Sequence, residues 1–177
     1  EELEELLIER SQVYGDFARN LSIDWKQVQK KLGKDDIAIE FVSFSVSKDS
    51  TMYCALTLKK GYDAPKLIPL FEEHQLDSVN RAKCYESTAI TELVWKPIDE
   101  ELKETKNIYF APDGELYNIA IESLPYHEGV GYMFDRWNFY RLSSTRELAK
   151  IKYHPSETKA ALYGGLNYDT EITTIEN

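Results

Sequence analysis

Two apolar runs with the two-residue period of a strand, "IAIEFVSFSV" from Ile37 and "MYCALTLKK" from Met52, stand on either side of the short polar stretch "SKDST". This pairing constrains the fold more than any other feature, because alternating runs joined by so short a loop pair as an antiparallel hairpin. The first run changes phase near Phe41: Ile37, Ile39 and Phe41 are followed by Val42, Phe44 and Val46. Such a shift implies a bulge or burial on both faces. The run "KLIPL" reads as a third strand, and Pro69, which has no amide to donate, puts it at an edge or an ending.

Helical periods flank this sheet. Leu3, Leu7, Tyr14, Phe17 and Leu21 recur at helical spacing and predict one long amphipathic helix ending near Asn20. Ser22 or Asp24 then caps a short helix whose buried stripe is Trp25, Val28 and Leu32, and Gly33 stands where a left-handed helix stop is wanted. Residues 71–104 read as helical, with Ile90, Leu93, Val94, Ile98 and Leu102 on one face and Pro97 opening or kinking the second part. The stretch "NIYFAPDGELYNIAIESLP" reads as a hairpin. Its strands are Ile108–Phe110 and Leu116–Ile121, and Pro112, Asp113 and Gly114 make the turn. Farther on, "EGVGYM" reads as a flexible loop, "RWNFYRLSS" as a strand, and Ser144 with Glu147 as a capping box. A last strand, "TKAALYG", runs into a Gly-Gly break.

Charge narrows the function classes. Lys and Arg total 21 against 31 Asp and Glu, a formal charge of −10, which repels a nucleic-acid backbone or an anionic membrane in the absence of a basic patch. The densest basic stretch, Lys26, Lys30, Lys31 and Lys34, falls beside acidic residues and reads as a solvated helix face. No run approaches the roughly 18 apolar residues of a membrane span. Taken as a true start, "EELEELLIER" is acidic where a secretory signal is basic, so the expected location is cytoplasmic. The Glu start and the "ITTIEN" end read as those of a fragment.

The chemistry-bearing residues find structural roles. Cys54 and Cys84 form no disulfide framework and no metal or redox motif. Cys54 reads as a small buried hydrophobe in a strand. Cys84 lies beside Arg81 and Lys83, which lower a thiol pKa where the thiol is exposed, but no His is near in sequence and an ordinary helix cysteine is expected. Asp113 has no neighbouring carboxylate or His, Ser143 and Ser144 lack a base, and Gly164-Gly165 lacks the third glycine of a dinucleotide turn. No catalytic, cofactor-binding or metal-ligating residue is therefore assigned, and no metal or organic cofactor is required.

In order, Trp25 and Leu32, "DDIAIEFVSF", "YCALTL", "LIPL", "ITELVWKPIDEELK", "NIYFAPDGELYNIAIESLP", "YRLSSTREL" and "ALYGGLNYD" resemble the amino-terminal half of a CHAT domain. This caspase-like domain often follows tetratricopeptide repeats in bacterial proteins. The resemblance implies an α/β fold, a caspase-like αβα sandwich with a mixed sheet, in which a pseudo-protease half supports a catalytic half carrying a His–Cys dyad. Residues 1–34 would be a helical arm, or the end of a helical repeat array; 35–158 the pseudo-protease half; 159–177 the first strand of the catalytic half and an acidic tail. His74, His127 and His154 do not match the family's His, which follows an apolar strand and precedes Gly, so the dyad is expected beyond Asn177 and this chain alone should be inactive. The implied partners are the catalytic half, helical repeats or other proteins, and a protein substrate for the full enzyme; nucleic acid and membrane are not expected. The other readings are a non-catalytic scaffold or protein-binding module anchored by Tyr132, Phe134 and Trp137, and a processing scar at Asn177.

Overall fold

The computed structural model describes residues 22–150, apart from residues 49, 80–82 and 128–130. The long helix expected over Leu3–Asn20 and the strand expected in "ALYGGLNYD" lie outside the described residues. β1 (Asp36–Ser47) and β2 (Ser50–Lys59) form the expected antiparallel hairpin, in register from Ile37 opposite Lys59 to Ser45 opposite Thr51. β3 (Lys66–Glu72) pairs antiparallel with β2 and is an edge strand, as Pro69 requires. β4 (Asn107–Ala111) lies parallel to β1, and β7 (Asn138–Arg141) lies parallel to β4. The result is a five-stranded mixed sheet in the order β3-β2-β1-β4-β7.

The phase shift in β1 resolves into coverage of both faces. Ile37, Ile39 and Phe41 enter one apolar cluster and Ala38 enters another, so the sheet is packed on its two sides. The irregularity in pairing comes later, between Ser45 and Ser47, where Phe44 and Val46 have left the core. On the first face lie the helical elements that follow β3: α2 (Glu73–Asp77), α3 (Ala89–Val94), a 3₁₀ turn (Lys96–Ile98) and α4 (Asp99–Leu102). The expected helical face is real, but the helix is broken. Strand β3 runs on to Glu72, and Pro97, lacking an amide, opens a new 3₁₀ start. Trp95 organises this layer: its ring meets Phe41, Phe110 and Phe139 edge to face, and its Nε1 donates to Ile121 O at 2.9 Å. Such aromatic pairs add about 0.5–1.5 kcal/mol each beyond the area they bury.

The second face is covered by α1 (Trp25–Gln29), with Val28 and Leu32 against Ala38 and Leu58. Asp24 is its cap: Oδ1 accepts from Gln27 N at 2.9 Å while Gln27 Oε1 accepts from Asp24 N at 2.8 Å. Gly33 does not take the left-handed stop. The positive-φ glycines of the described residues are Gly114 and Gly131, and Gly33 N instead donates to Asp36 Oδ2 at 2.7 Å.

The largest correction concerns Asn107–Pro125. Ala111 does not lead into a hairpin, because Gly114–Asn118 and Ile121–Ser123 are 3₁₀ turns that carry the chain across the first face. The apolar spacing that looked like a strand is satisfied there by burying Leu116, Ile119, Ile121 and Leu124. Of the expected "EGVGYM" loop, residues 128–130 lie outside the described residues; Gly131–Tyr132 is β6, paired with β5 (Pro125–His127), and Met133 is buried.

Candidate functional site

The residues singled out in the sequence do not converge on a nucleophile. Cys54 is 2% exposed in β2, and burial pushes its thiol above the ordinary value despite a backbone hydrogen bond from Leu70. Cys84 is 5% exposed, so the exposure that would let Lys83 activate it is missing. His74 sits on α2, its Nδ1 3.3 Å from Glu72 Oε2. The side chains of His127 and His154 lie outside the described residues. The hydroxyls of Ser43, Ser50, Ser78, Ser143 and Ser144 bond to carboxylates or a backbone carbonyl rather than to a His, and among the described residues no cluster of His, Cys, Asp and Glu is placed to hold a metal ion.

Asp113 has a different occupation. Its Oδ2 accepts from Ser43 N at 2.7 Å and from Ser43 Oγ at 2.6 Å, clipping the end of β4 onto β1. Burial acts to raise its pKa, and the Ser43 hydroxyl, Ser43 amide and Gly114 amide outweigh it, holding the carboxyl below its ordinary value. Two residues on, the Tyr53 hydroxyl accepts from Glu115 N at 3.0 Å and donates to Glu73 Oε1 at 3.2 Å. Gly114 passes this hydroxyl at φ +52°, and any Cβ there would collide with it. Pro-Asp-Gly is thus a clamp between β4 and the β1–β2 hairpin.

Two features remain that can do more than hold the fold. The first is β7: among the described residues it pairs on one side only, with β4. Its inner anchorage is firm. Arg141 donates to Ile119 O at 2.6 Å and to Leu116 O at 3.3 Å, supplying partners to carbonyls of the 3₁₀ segment.

The second is a hollow on the second face. An apolar chamber of about 250 Å³ lies between α1 and the sheet, walled by Trp25, Val28, Leu56, Leu58 and Pro65, with Glu40 and Thr145 at its polar end. A wider hollow adjoins it and is rimmed by Asp24, Ser144 and Arg146. Glu40 Oε1 accepts from Thr145 N at 2.6 Å, Thr145 Oγ1 at 2.8 Å and Ser144 Oγ at 2.8 Å. Ser144, read as a helix cap, and its neighbour Thr145 therefore lock the chain after β7 onto β1. Ser144 does cap, accepting from Arg146 N at 3.3 Å, but the turn is 3₁₀ (Thr145–Leu148) and the capping box is not reciprocal. Glu147 accepts instead from the amide and hydroxyl of Ser143, whose hydroxyl holds the Glu147 carboxyl below its ordinary value. Sequence reasoning had no signal for Glu40, because nothing local in "IAIEFV" tells that one polar position of a strand meets a turn 105 residues away.

The proposed aromatic anchor divides in two. Trp137 is 8% exposed and packs edge to face on Tyr126, whereas Tyr132 and Phe134 are 43% and 52% exposed and stack on each other. No helix among the described residues is long and apolar enough to cross a membrane. No protein-family model matches the chain, and no curated protein matches its sequence.

Proposed function

We propose that this chain is the pseudo-protease portion of a CHAT-type, caspase-like cysteine peptidase: a cytoplasmic supporting wall for a catalytic half whose His–Cys dyad lies beyond Asn177. The observation that carries this reading is the direction of the sheet. From β1 outward, β4 and β7 are added in chain order and in parallel, and the outer side of β7 is open among the described residues. A second half that continues this parallel series in chain order would begin along β7 rather than at the antiparallel edge β3. The burial of both cysteines and the structural use of Asp113, Ser143 and Ser144 agree with a part that supports chemistry done elsewhere. In such an enzyme the Cys thiolate attacks the peptide carbonyl and the His manages protons.

The test is to read the native coding sequence past Asn177 for an apolar strand ending in His-Gly and a later one ending in Cys, then to assay the full product against casein beside a Cys→Ala control. Casein cleavage abolished by the control supports the proposal. A stop codon at once, or the strands without the dyad, overturns it. The stacked, exposed Tyr132 and Phe134 favour a second reading, a caspase-like binding module. A Tyr132→Ser/Phe134→Ser chain that folds normally yet still captures every partner of the wild type would remove that alternative.

A further inference from the structure

The chamber on the second face holds a carboxylate, Glu40, that forms no ion pair among the described residues. All three groups bound to Glu40 Oε1 are neutral, two hydroxyls and an amide. Among the described residues no cation forms an ion pair with Glu40; Arg146 stands only at the rim of the wider hollow. Three donors on one oxygen fix the carboxylate in place, and its other oxygen accepts no hydrogen bond from a described residue. The walls beside it are carbon: Trp25, Val28, Leu56, Leu58 and Pro65. A wholly apolar guest would desolvate this charge without compensation, and an anionic one would be repelled. What satisfies both walls and carboxylate is an aliphatic stem ending in a cation.

We infer that this chamber is a subsite for one lysine or arginine side chain of a protein partner, its stem against Trp25, Leu56 and Leu58 and its head on Glu40 Oε2. Charge complementarity extends past the chamber, since Asp24 stands at the adjoining rim and the chain carries a formal charge of −10. The inference does not depend on the peptidase reading, because it rests on the chamber alone.

The experiment is a titration of the isotope-labelled 177-residue chain with the blocked tripeptides Gly-Arg-Gly and Gly-Lys-Gly, and with citrulline and norleucine counterparts as neutral controls. The readouts are the Val28, Leu56 and Leu58 methyl resonances and the Trp25 indole. Saturable shifts with the basic peptides, weaker by about tenfold or more with the neutral ones, are expected. Glu40→Gln keeps an oxygen for the Thr145 and Ser144 donors and should weaken the basic peptides by about the same factor. A second variant guards against misfolding: Leu56 pairs directly across from Glu40, so Leu56→Lys places a tethered ammonium beside the carboxylate and should block the site. Equal binding of charged and neutral peptides, or basic binding undiminished in Leu56→Lys, overturns the inference. So does a finding that Arg10→Gln or Arg19→Gln shifts the same resonances without peptide, which would mean that the chain fills its own chamber.

Discussion

Single residues hold this fold where the backbone would otherwise drift, and Gly114 is the sharpest case. Its φ of +52° and the Tyr53 hydroxyl beside it leave no room for a Cβ. Gly114→Ala is expected to destabilise by about 1–3 kcal/mol, read as a lower urea midpoint with unchanged slope; an unchanged midpoint would mean that the clamp is slack. Glu104 is the converse. It adopts φ +60° after α4, where a glycine is at ease, so Glu104→Gly should stabilise by about 1 kcal/mol in the same assay, and a loss of stability would contradict this. Asp113 adds a pH dependence. Its folded-state pKa is depressed, so its contribution is fully present above the ordinary value of 3.8 and is lost as pH falls through the lower folded value. The stability gap between wild type and Asp113→Asn should hold steady near neutrality and close in acid. A gap that persists to about pH 2 would assign the contribution to shape rather than charge.

At the level of elements, the guanidinium of Arg141 on β7 braces the 3₁₀ segment Gly114–Asn118 and its C-cap Ile119, adding a donor to Leu116 O, Tyr117 O and Ile119 O beside the backbone amides of Ile119 and Ile121. Arg141→Met should cost about 1–2 kcal/mol and speed amide exchange at Leu116 and Ile119; the more distant ion pair with Glu122, at 3.8 Å, adds little. Unaltered exchange there would show that the backbone bonds from Ile119 N and Ile121 N hold the segment without the guanidinium. The same segment marks the limit of what was legible in the sequence. Hairpin β1–β2, edge strand β3, the Asp24 cap and strand β7 were all readable, since each follows from local alternation, a short loop, or a proline or cap at a fixed offset. Leu116–Ile121 was misread because its apolar spacing is ambiguous over so short a window. Whether it pairs or coils was decided by Tyr53, Ser43 and Arg141, which approach from three strands.

The whole molecule is asymmetric about β1: antiparallel and local on one side, parallel and remote on the other. If the proposed second half extends the sheet, a polypeptide that continues through the native coding sequence should show slower amide exchange across Asn138–Arg141 than the 177-residue chain. Equal exchange would deny β7 that role. The chamber with Glu40 was invisible to sequence reading for the same long-range reason, since its walls come from α1, four positions of the β1–β2 hairpin, Pro65 and a turn near residue 145. The asymmetry also dictates an order of events. The β1–β2–β3 meander needs only short loops to close, whereas β4 must return across some 71 residues and the Glu40–Thr145 lock across 105. Loop-closure entropy places such contacts last, after the pieces they join have already formed. On a ribosome, the meander can therefore assemble while the rest is still being made. Pulse-labelled refolding should find the Thr145 amide protected after those of β2, and the carboxylate that waits in the chamber would then act as the latch that registers the arrival of β7.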